Sequence, residues 1–140
     1  MTISFSVVQT ALDTYMGTLT GLPTLVLENS RIKTQGITAF MRTQLAPAET
    51  LAESIGSCGT DRLNGLYIID LFYPKDEGTA DANSDIDILT LAFEAGTQVT
   101  SGSDTVEIFN SFPTPSTPNL EKFYMKQVLV QWRARRARTL

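Results

Sequence analysis

One segment, residues 65–96, limits the fold more than any other, because a strand, a turn and a helix follow one another directly in it. The strand is predicted over Leu66–Tyr73. It is apolar on both faces, with Asp70 as its only charged residue, which predicts that both of its sides are covered. Pro74 has no N–H to donate and ends the strand, and a helix is predicted over Thr79–Ala95.

The predicted helix is apolar on two sides. At about 100° per residue, one stripe consists of Ala82, Ile86, Leu89 and Phe93, and a second stripe consists of Ile88, Leu91, Ala92 and Ala95. A surface helix of a small monomer needs only one such stripe. Either a second helix of the same chain or a neighbouring subunit therefore covers the second stripe, and the latter hypothesis makes that stripe a subunit interface.

Composition excludes most catalytic designs. The chain has 140 residues, enough for one domain with its own core, and it contains no histidine. Ser-His-Asp and Cys-His catalysis and histidine metal sites are therefore excluded, and we expect no enzyme and no cofactor. The single cysteine, Cys58, excludes an internal disulfide. The start of the sequence lacks a signal-peptide pattern and no stretch reaches the roughly 18 to 20 apolar residues that span a bilayer, so we expect neither secretion nor membrane insertion.

The other elements follow from local patterns. A helix is predicted over residues 4–17, with Ser6 and Gln9 forming a capping box. Alternation and turn residues predict the remaining elements: a short strand over residues 24–27, a half-buried strand at an edge over 38–45, a strand face over 51–55, a hairpin joining Val99 to 105–109, a proline-rich loop over 112–119, and a final strand over Phe123–Trp132.

Acidic residues cluster at the head of the central helix: Asp76, Glu77, Asp81, Asp85 and Asp87. They suit the first turns of a helix, whose N-terminal end favours negative charge. A calcium or magnesium site is a second interpretation, although the loop lacks the spacing of an EF-hand. A third interpretation is that a group of these acids faces a channel that carries DNA, where negative walls prevent sticking: Asp76, Glu77, Asp81 and Asp85.

Charge is uneven along the chain. Residues 1–132 hold seven basic and fifteen acidic residues, a formal charge of −8, which argues against general nucleic-acid binding. We therefore divide the chain into a domain over 1–132 and a basic C-terminal tail over 133–140. The tail is a solvated terminus, a docking segment for acidic surface of a neighbouring molecule, or a nucleic-acid contact; its arginines are Arg133, Arg135, Arg136 and Arg138.

The order of these elements resembles that of the tail-terminator and tail-completion proteins of long-tailed bacteriophages. The resemblance is carried by the N-terminal helix, by residues 64–74 (NGLYIIDLFYP) followed by Gly78, by the helix that ends in AFEAG at Gly96, and by the closing strand over 123–132 (FYMKQVLVQW). It extends over most of the chain. Each of its motifs is a strand, a turn or a helix rather than a chemical fingerprint.

The resemblance implies a single α+β domain in which two helices pack on a mainly antiparallel sheet of about four to five strands. It also implies a hexameric ring that caps the tail tube, stops its polymerisation and joins it to the head. The expected partners are further copies of the chain, the tail tube protein and the head–tail connector protein, with DNA only passing through the lumen and no membrane. The expected location is the tail or neck of the virion, after assembly in the host cytoplasm.

Two alternatives stay open at this point. One is a neck or head-completion adaptor, a structural protein of the same class. The other is a small enzyme that uses Asp70 or the acidic cluster over residues 76–87 as its carboxylates. Asp70 suits a polar position in a strand or an interface better than the position of a catalytic base.

Overall fold

Two helices and seven strands make up the part of the chain that the computed structural model describes, which is residues 4–26, 39–48, 50–53, 55–56, 59–74, 80–101, 104–114 and 123–137. Neither helix within these residues has the length and apolarity needed to cross a membrane. The helices are α1 (Phe5–Thr18) and α2 (Ala80–Ala92), and the strands are β1 (Thr24–Val26), β2 (Phe40–Pro47), β3 (Leu51–Ala52), β4 (Thr60–Pro74), β5 (Gln98–Ser101), β6 (Asp104–Pro113) and β7 (Phe123–Ala137).

All seven strands belong to one sheet, in the order β1-β2-β4-β7-β6-β5, with β3 paired to β4 outside this path. Every pairing is antiparallel except that of β1 with β2. Two of the strands, β1 and β3, have only three and two residues, so five longer strands carry the sheet. The predicted fold class is therefore confirmed: an α+β domain with two helices and a mainly antiparallel sheet.

The central strand is longer than the sequence predicted. β4 begins at Thr60 rather than Leu66, because β7 pairs with it along its whole length, from Thr60 opposite Ala137 to Pro74 opposite Phe123. On its other side β4 pairs with β2. The edge position predicted for residues 38–45 is wrong for Phe40–Arg42, which pair with β1.

The last strand corrects the predicted domain boundary. β7 continues five residues beyond Trp132, so residues 133–137 belong to the sheet and not to a basic tail. The strand continues because successive side chains point to opposite faces of the sheet, and those on each face meet surroundings that suit them. Ala134 is buried, whereas Arg133 and Arg135 form ion pairs with acids of adjoining segments.

Both helices pack on the same face of the sheet, and this packing forms the core. Aromatic rings connect the layers: Tyr15 of α1 meets Phe93 edge-to-face with a centroid distance of 5.2 Å, and Phe93 lies 6.3 Å from Tyr67 of β4. Burial of these apolar side chains is the main stabilising contribution. The core includes Val8, Leu12 and Met16 of α1, Ala82, Ile86 and Leu89 of α2, and Tyr67, Ile69, Leu71, Val128, Val130 and Trp132 of the sheet.

Directional hydrogen bonds fix the position of α1 on this core. The Asp13 carboxylate accepts hydrogen bonds from the hydroxyl of Tyr67 and, at 3.2 Å, from the hydroxyl of Thr43. The hydroxyl of Tyr15 donates to the carbonyl of Ala92 in α2 at 2.8 Å. Because such bonds require a defined geometry, α1 is held in one register against both the sheet and α2.

The helix α2 ends at Ala92, three residues earlier than predicted, and a turn follows. Gly96 adopts a φ of 92°, the left-handed conformation in which glycine carries no steric penalty, as the predicted stop requires. Its N–H donates to the carbonyl of Ile108 in β6 at 2.8 Å. The chain thus passes from the helix directly into the predicted hairpin, which is formed by β5 and β6.

The N-terminal cap of α1 is Ser4, not Ser6 as the capping-box pattern predicted. The Ser4 hydroxyl accepts from the N–H of Val7 at 3.3 Å, and Ser6 already lies inside the first turn. We expect Ser4→Ala to lower the free energy of unfolding by about 1 kcal/mol, because a helix N–H loses its acceptor. Urea unfolding would measure this, with Ser6→Ala as the matched control. An equal loss in both variants would contradict the assignment of the cap.

Candidate functional site

The second apolar stripe of α2 is where the sequence predicted a subunit interface. Leu91 has 70% of its surface exposed, and Ala95 is also exposed. Leu91 lies about 200° around the helix from the fully buried Leu89, so it faces away from the sheet. A large apolar side chain on the outer side of a helix is available for a partner.

Other parts of the same chain cover the remaining two residues of this stripe in part. The Ile88 side chain lies close to Gly21, where its Cδ1 would be 3.8 Å from a Cβ built at that glycine. Ala92 is half-buried and packs against the core. The two hypotheses for the second stripe therefore apply to different residues: Ile88 and Ala92 are partly covered within the protomer, and Leu91 and Ala95 are not. Their role in an interface stays a prediction.

Acidic side chains flank the exposed leucine. Asp87 lies one turn before Leu91 and Glu94 lies three residues after it, and both are exposed. The helix contains no lysine or arginine. We define the α2 patch as Asp87, Ile88, Leu91, Glu94 and Ala95: an apolar centre with an acidic border.

No helix of the described residues packs on the second face of the sheet, which we call the open face, although Phe40 of β2 is buried on it and stacks on Phe72. Alternate residues of β4 point away from the helices, and they are only half-buried: Leu66, Ile68, Asp70 and Phe72. Met125, Gln127, Leu129 and Gln131 of β7 lie opposite them on the same face. Both helices pack on the other face, so within the described part of the chain no helix covers this side of the central strand, and its cover stays a prediction.

Asp70 lies in the middle of this open face. Its Oδ1 accepts a hydrogen bond from the side-chain amide of Gln127 at 2.9 Å, and Arg42 is its cross-strand neighbour on β2. Burial raises the pKa of Asp70 above the ordinary value of 3.8, and the Gln127 hydrogen bond and the Arg42 charge oppose this rise only in part. These partners suit a structural carboxylate. Among the described residues, no group of three or more Asp, Glu, Cys or His side chains is placed to hold a metal ion.

The raised pKa of Asp70 has a consequence for stability. At a pH between 3.8 and the raised pKa, Asp70 is protonated in the folded chain and ionised in the unfolded chain. The buried carboxylate therefore destabilises the fold at neutral pH. This destabilisation is relieved as the pH falls through the raised pKa. We expect Asp70→Asn to have a higher Tm than the wild type at pH 7 and the difference to narrow toward pH 4. Thermal unfolding across this range is the measurement. A Tm difference between Asp70→Asn and the wild type that does not change with pH would contradict this expectation.

The acids predicted to face a lumen are not equivalent. Asp85 is buried, with 9% of its surface exposed, and its Oδ2 accepts a hydrogen bond from the hydroxyl of Tyr73 at 2.6 Å. For Asp85 the prediction is wrong, because the carboxylate points into the protomer. Asp76, Glu77 and the side chain of Asp81 lie outside the described part of the chain.

Three of the four C-terminal arginines pair with acids of the same protomer. Arg133 contacts Glu107 at 2.6 Å, Arg135 contacts Glu53 at 2.9 Å, and Arg136 lies 3.8 Å from Asp61. Such surface pairs contribute about 0–1 kcal/mol each. Arg138 lies outside the described residues. The Arg135 side chain is nevertheless 68% exposed, so it can also meet a partner.

Phe109 is a surface feature that the sequence analysis did not single out. It occupies an irregularity in β6 between Ile108 and Asn110, where the register with β7 shifts. The side chain is 39% exposed, and the Arg133 guanidinium lies 4.6 Å from its ring centroid, a cation–π contact. The sequence did contain a signal, since two adjacent apolar residues, Ile108 and Phe109, break the alternation of the strand.

A groove of about 470 Å³ runs beside Phe109. It crosses β4 and β7 near the end of β2, and its wall residues combine apolar side chains with amides. We call it the Phe109 groove, and its lining is Ala48, Asn64, Gly65, Leu66, Phe109, Gln131 and Trp132.

Comparisons with known proteins agree with this architecture. Thirteen chains of solved structures match, and one of them is similar with a TM-score of 0.70 over 94% of this chain and 96% of that chain. Its sequence is 14% identical, so it supports the fold alone. No curated protein matches the sequence.

A family model gives the functional class. The model described as phage tail terminator protein matches residues 7–132, which includes α1 from Val7 onward, all of α2 and all strands up to Trp132 of β7. This family is one of structural proteins of the phage tail. The chain therefore belongs to the phage tail terminator protein family.

Proposed function

We propose that this protein ends phage tail assembly: copies of it close into a ring, expected to be a hexamer, that caps the tail tube. The ring stops polymerisation of the tube and offers its other side to the head–tail connector, and DNA passes through its lumen. Membership of the tail terminator family supports a role in the tail. The observation that carries ring formation is the α2 patch, because a 70% exposed leucine on the outer side of a helix is suited to contact with another copy.

The physical requirement is selective binding. The ring must bind the exposed end of the tube and yet present a surface on which no further tube layer can bind. A protomer with chemically different sides meets this requirement.

Electron microscopy of tails assembled without this protein tests the proposal. We expect tails of uncontrolled length, and complementation with the wild-type protein is expected to restore the normal length. Complementation with Leu91→Asp is expected to fail, whereas Ile55→Asp is the matched control because Ile55 is also exposed but lies outside the α2 patch. Tails of normal length that are not joined to heads would contradict tail termination and indicate a neck adaptor instead.

A further inference from the structure

We propose that the α2 patch of one copy docks into the Phe109 groove of the next copy. This contact rests on the proposed ring and specifies which two surfaces form it. The patch and the groove lie on opposite sides of a two-layer protomer, since Leu91 faces away from the sheet and Leu66 lies on the sheet face that the helices leave open. In a repeated contact of this kind, the helical layer of each copy covers the open sheet face of its neighbour.

The polarities of the two surfaces match at their centres. Leu91 is an apolar projection with 70% of its surface exposed. The groove has about 470 Å³ of space between the apolar side chains of Leu66 and Phe109. Burial of an exposed leucine side chain between apolar walls strengthens association by about 30-fold.

The charges at the borders also match. Asp87 lies one helical turn before Leu91, and Glu94 lies three residues after it in the turn that follows α2. Arg133 and Arg135 lie on one face of β7, about 7 Å apart. The ion pair of Arg135 with Glu53 uses Nε, and the side chain is 68% exposed, so its guanidinium can also meet a carboxylate of another copy. An acidic partner surface therefore fits beside Phe109, and the α2 patch is one.

The contact joins two different surfaces of the chain, so it is heterologous. Such contacts form a closed ring when the rotation between copies closes, and a filament when it does not. A two-fold dimer would instead place the same surface of both copies in the interface. A dimer through the α2 patch would leave both sheet faces uncovered, and a dimer through the sheet face would leave both α2 patches uncovered. A rotation between copies that closes would therefore give the ring of the proposed function.

Two complementary variants test the contact. Leu91→Asp destroys the patch but keeps the groove, and Phe109→Asp destroys the groove but keeps the patch. We expect each variant alone to be a monomer, with association weakened at least about 30-fold. A mixture is expected to form only a 1:1 dimer, because one intact patch and one intact groove remain. Analytical ultracentrifugation measures all three samples, and Ile55→Asp, which alters neither surface, is expected to assemble like the wild type.

A charge reversal gives a second test that alters only exposed side chains. We expect Asp87→Arg and Arg135→Glu each to weaken assembly, and the double variant in one chain to restore it. If the wild type forms a ring but the Leu91→Asp and Phe109→Asp variants each still assemble, the proposed contact is overturned. A mixture of the two variants that stays monomeric would overturn it as well. Neither result contradicts the ring itself. A wild-type protein that is monomeric at every concentration, with and without tail tubes, would overturn both.

Discussion

Replacement of Trp132 with alanine is expected to lower the free energy of unfolding by about 3 to 5 kcal/mol, because a fully buried indole is lost from the middle of the sheet. Trp132 is 1% exposed, lies opposite Gly65 on β4 and meets Phe5 of α1 edge-to-face at 6.1 Å. Its removal would leave a cavity between the sheet and the start of α1. Urea unfolding followed by circular dichroism is the measurement, since the variant lacks the only tryptophan of the chain.

A conservative variant sharpens this prediction. Within the described residues, the buried Nε1 of Trp132 has no hydrogen-bond partner. Trp132→Phe removes this unsatisfied donor and keeps an aromatic ring, so it is expected to cost less than half as much as Trp132→Ala. A loss below about 1 kcal/mol for Trp132→Ala would show that the core beneath β7 is not packed as described.

Gly65→Ala is the second change with a large expected effect. A Cβ at this position would lie 2.5 Å from the carbonyl oxygen of Ala46 and 3.0 Å from Cζ2 of Trp132. The new Cβ would have backbone on one side and a buried ring on the other, which leaves little room for adjustment. We therefore expect Gly65→Ala to lower the free energy of unfolding by about 1 to 3 kcal/mol. Chemical denaturation of both proteins would measure it.

Gly17→Ala is the matched control for this substitution. Gly17 lies in α1, and a Cβ there would have no atom within 4 Å. Because alanine is favoured over glycine in a helix, we expect Gly17→Ala to raise the free energy of unfolding by about 0.5 to 1 kcal/mol. If both variants lost stability equally, the close approach of β2 to Gly65 would not be the cause.

The elements that the sequence predicted well are those whose signal is local. The two stripes of α2 follow from a 3.6-residue period, and the buried stripe indeed faces the sheet through Leu89 and Phe93. The strand around Leu66–Tyr73 and the β5–β6 hairpin also follow from apolar runs and turn residues. The α+β fold class implied by the family resemblance is also confirmed, since it depends on these locally specified helices and strands.

The errors occurred where distant residues decide the structure. The sequence predicted Arg133 and Arg135 as part of a basic tail, but they lie in β7 and pair with Glu107 and Glu53. Strand pairing depends on such neighbours more than on intrinsic preference. The exposure of Phe109 likewise depends on a register shift between β6 and β7, which the sequence marks only by a break in alternation at Ile108 and Phe109.

The candidate interface divides in the same way. Periodicity predicted Leu91 and Ala95 as an outer apolar surface, and both are exposed. Ile88 and Ala92 belong to the same stripe, but the neighbouring Gly21 and the core cover them in part. The groove opposite could not be predicted, because its walls come from the end of β2 and from β4, β6 and β7, which are far apart in the sequence.

Sedimentation velocity of the purified wild-type protein, over a range of concentrations and with and without tail tubes, tests most directly whether copies of this chain close into a ring. The predicted result is one closed species of fixed size, expected to hold six copies of the 15.4 kDa chain. Sedimentation as a single 15.4 kDa protomer under every condition would contradict it.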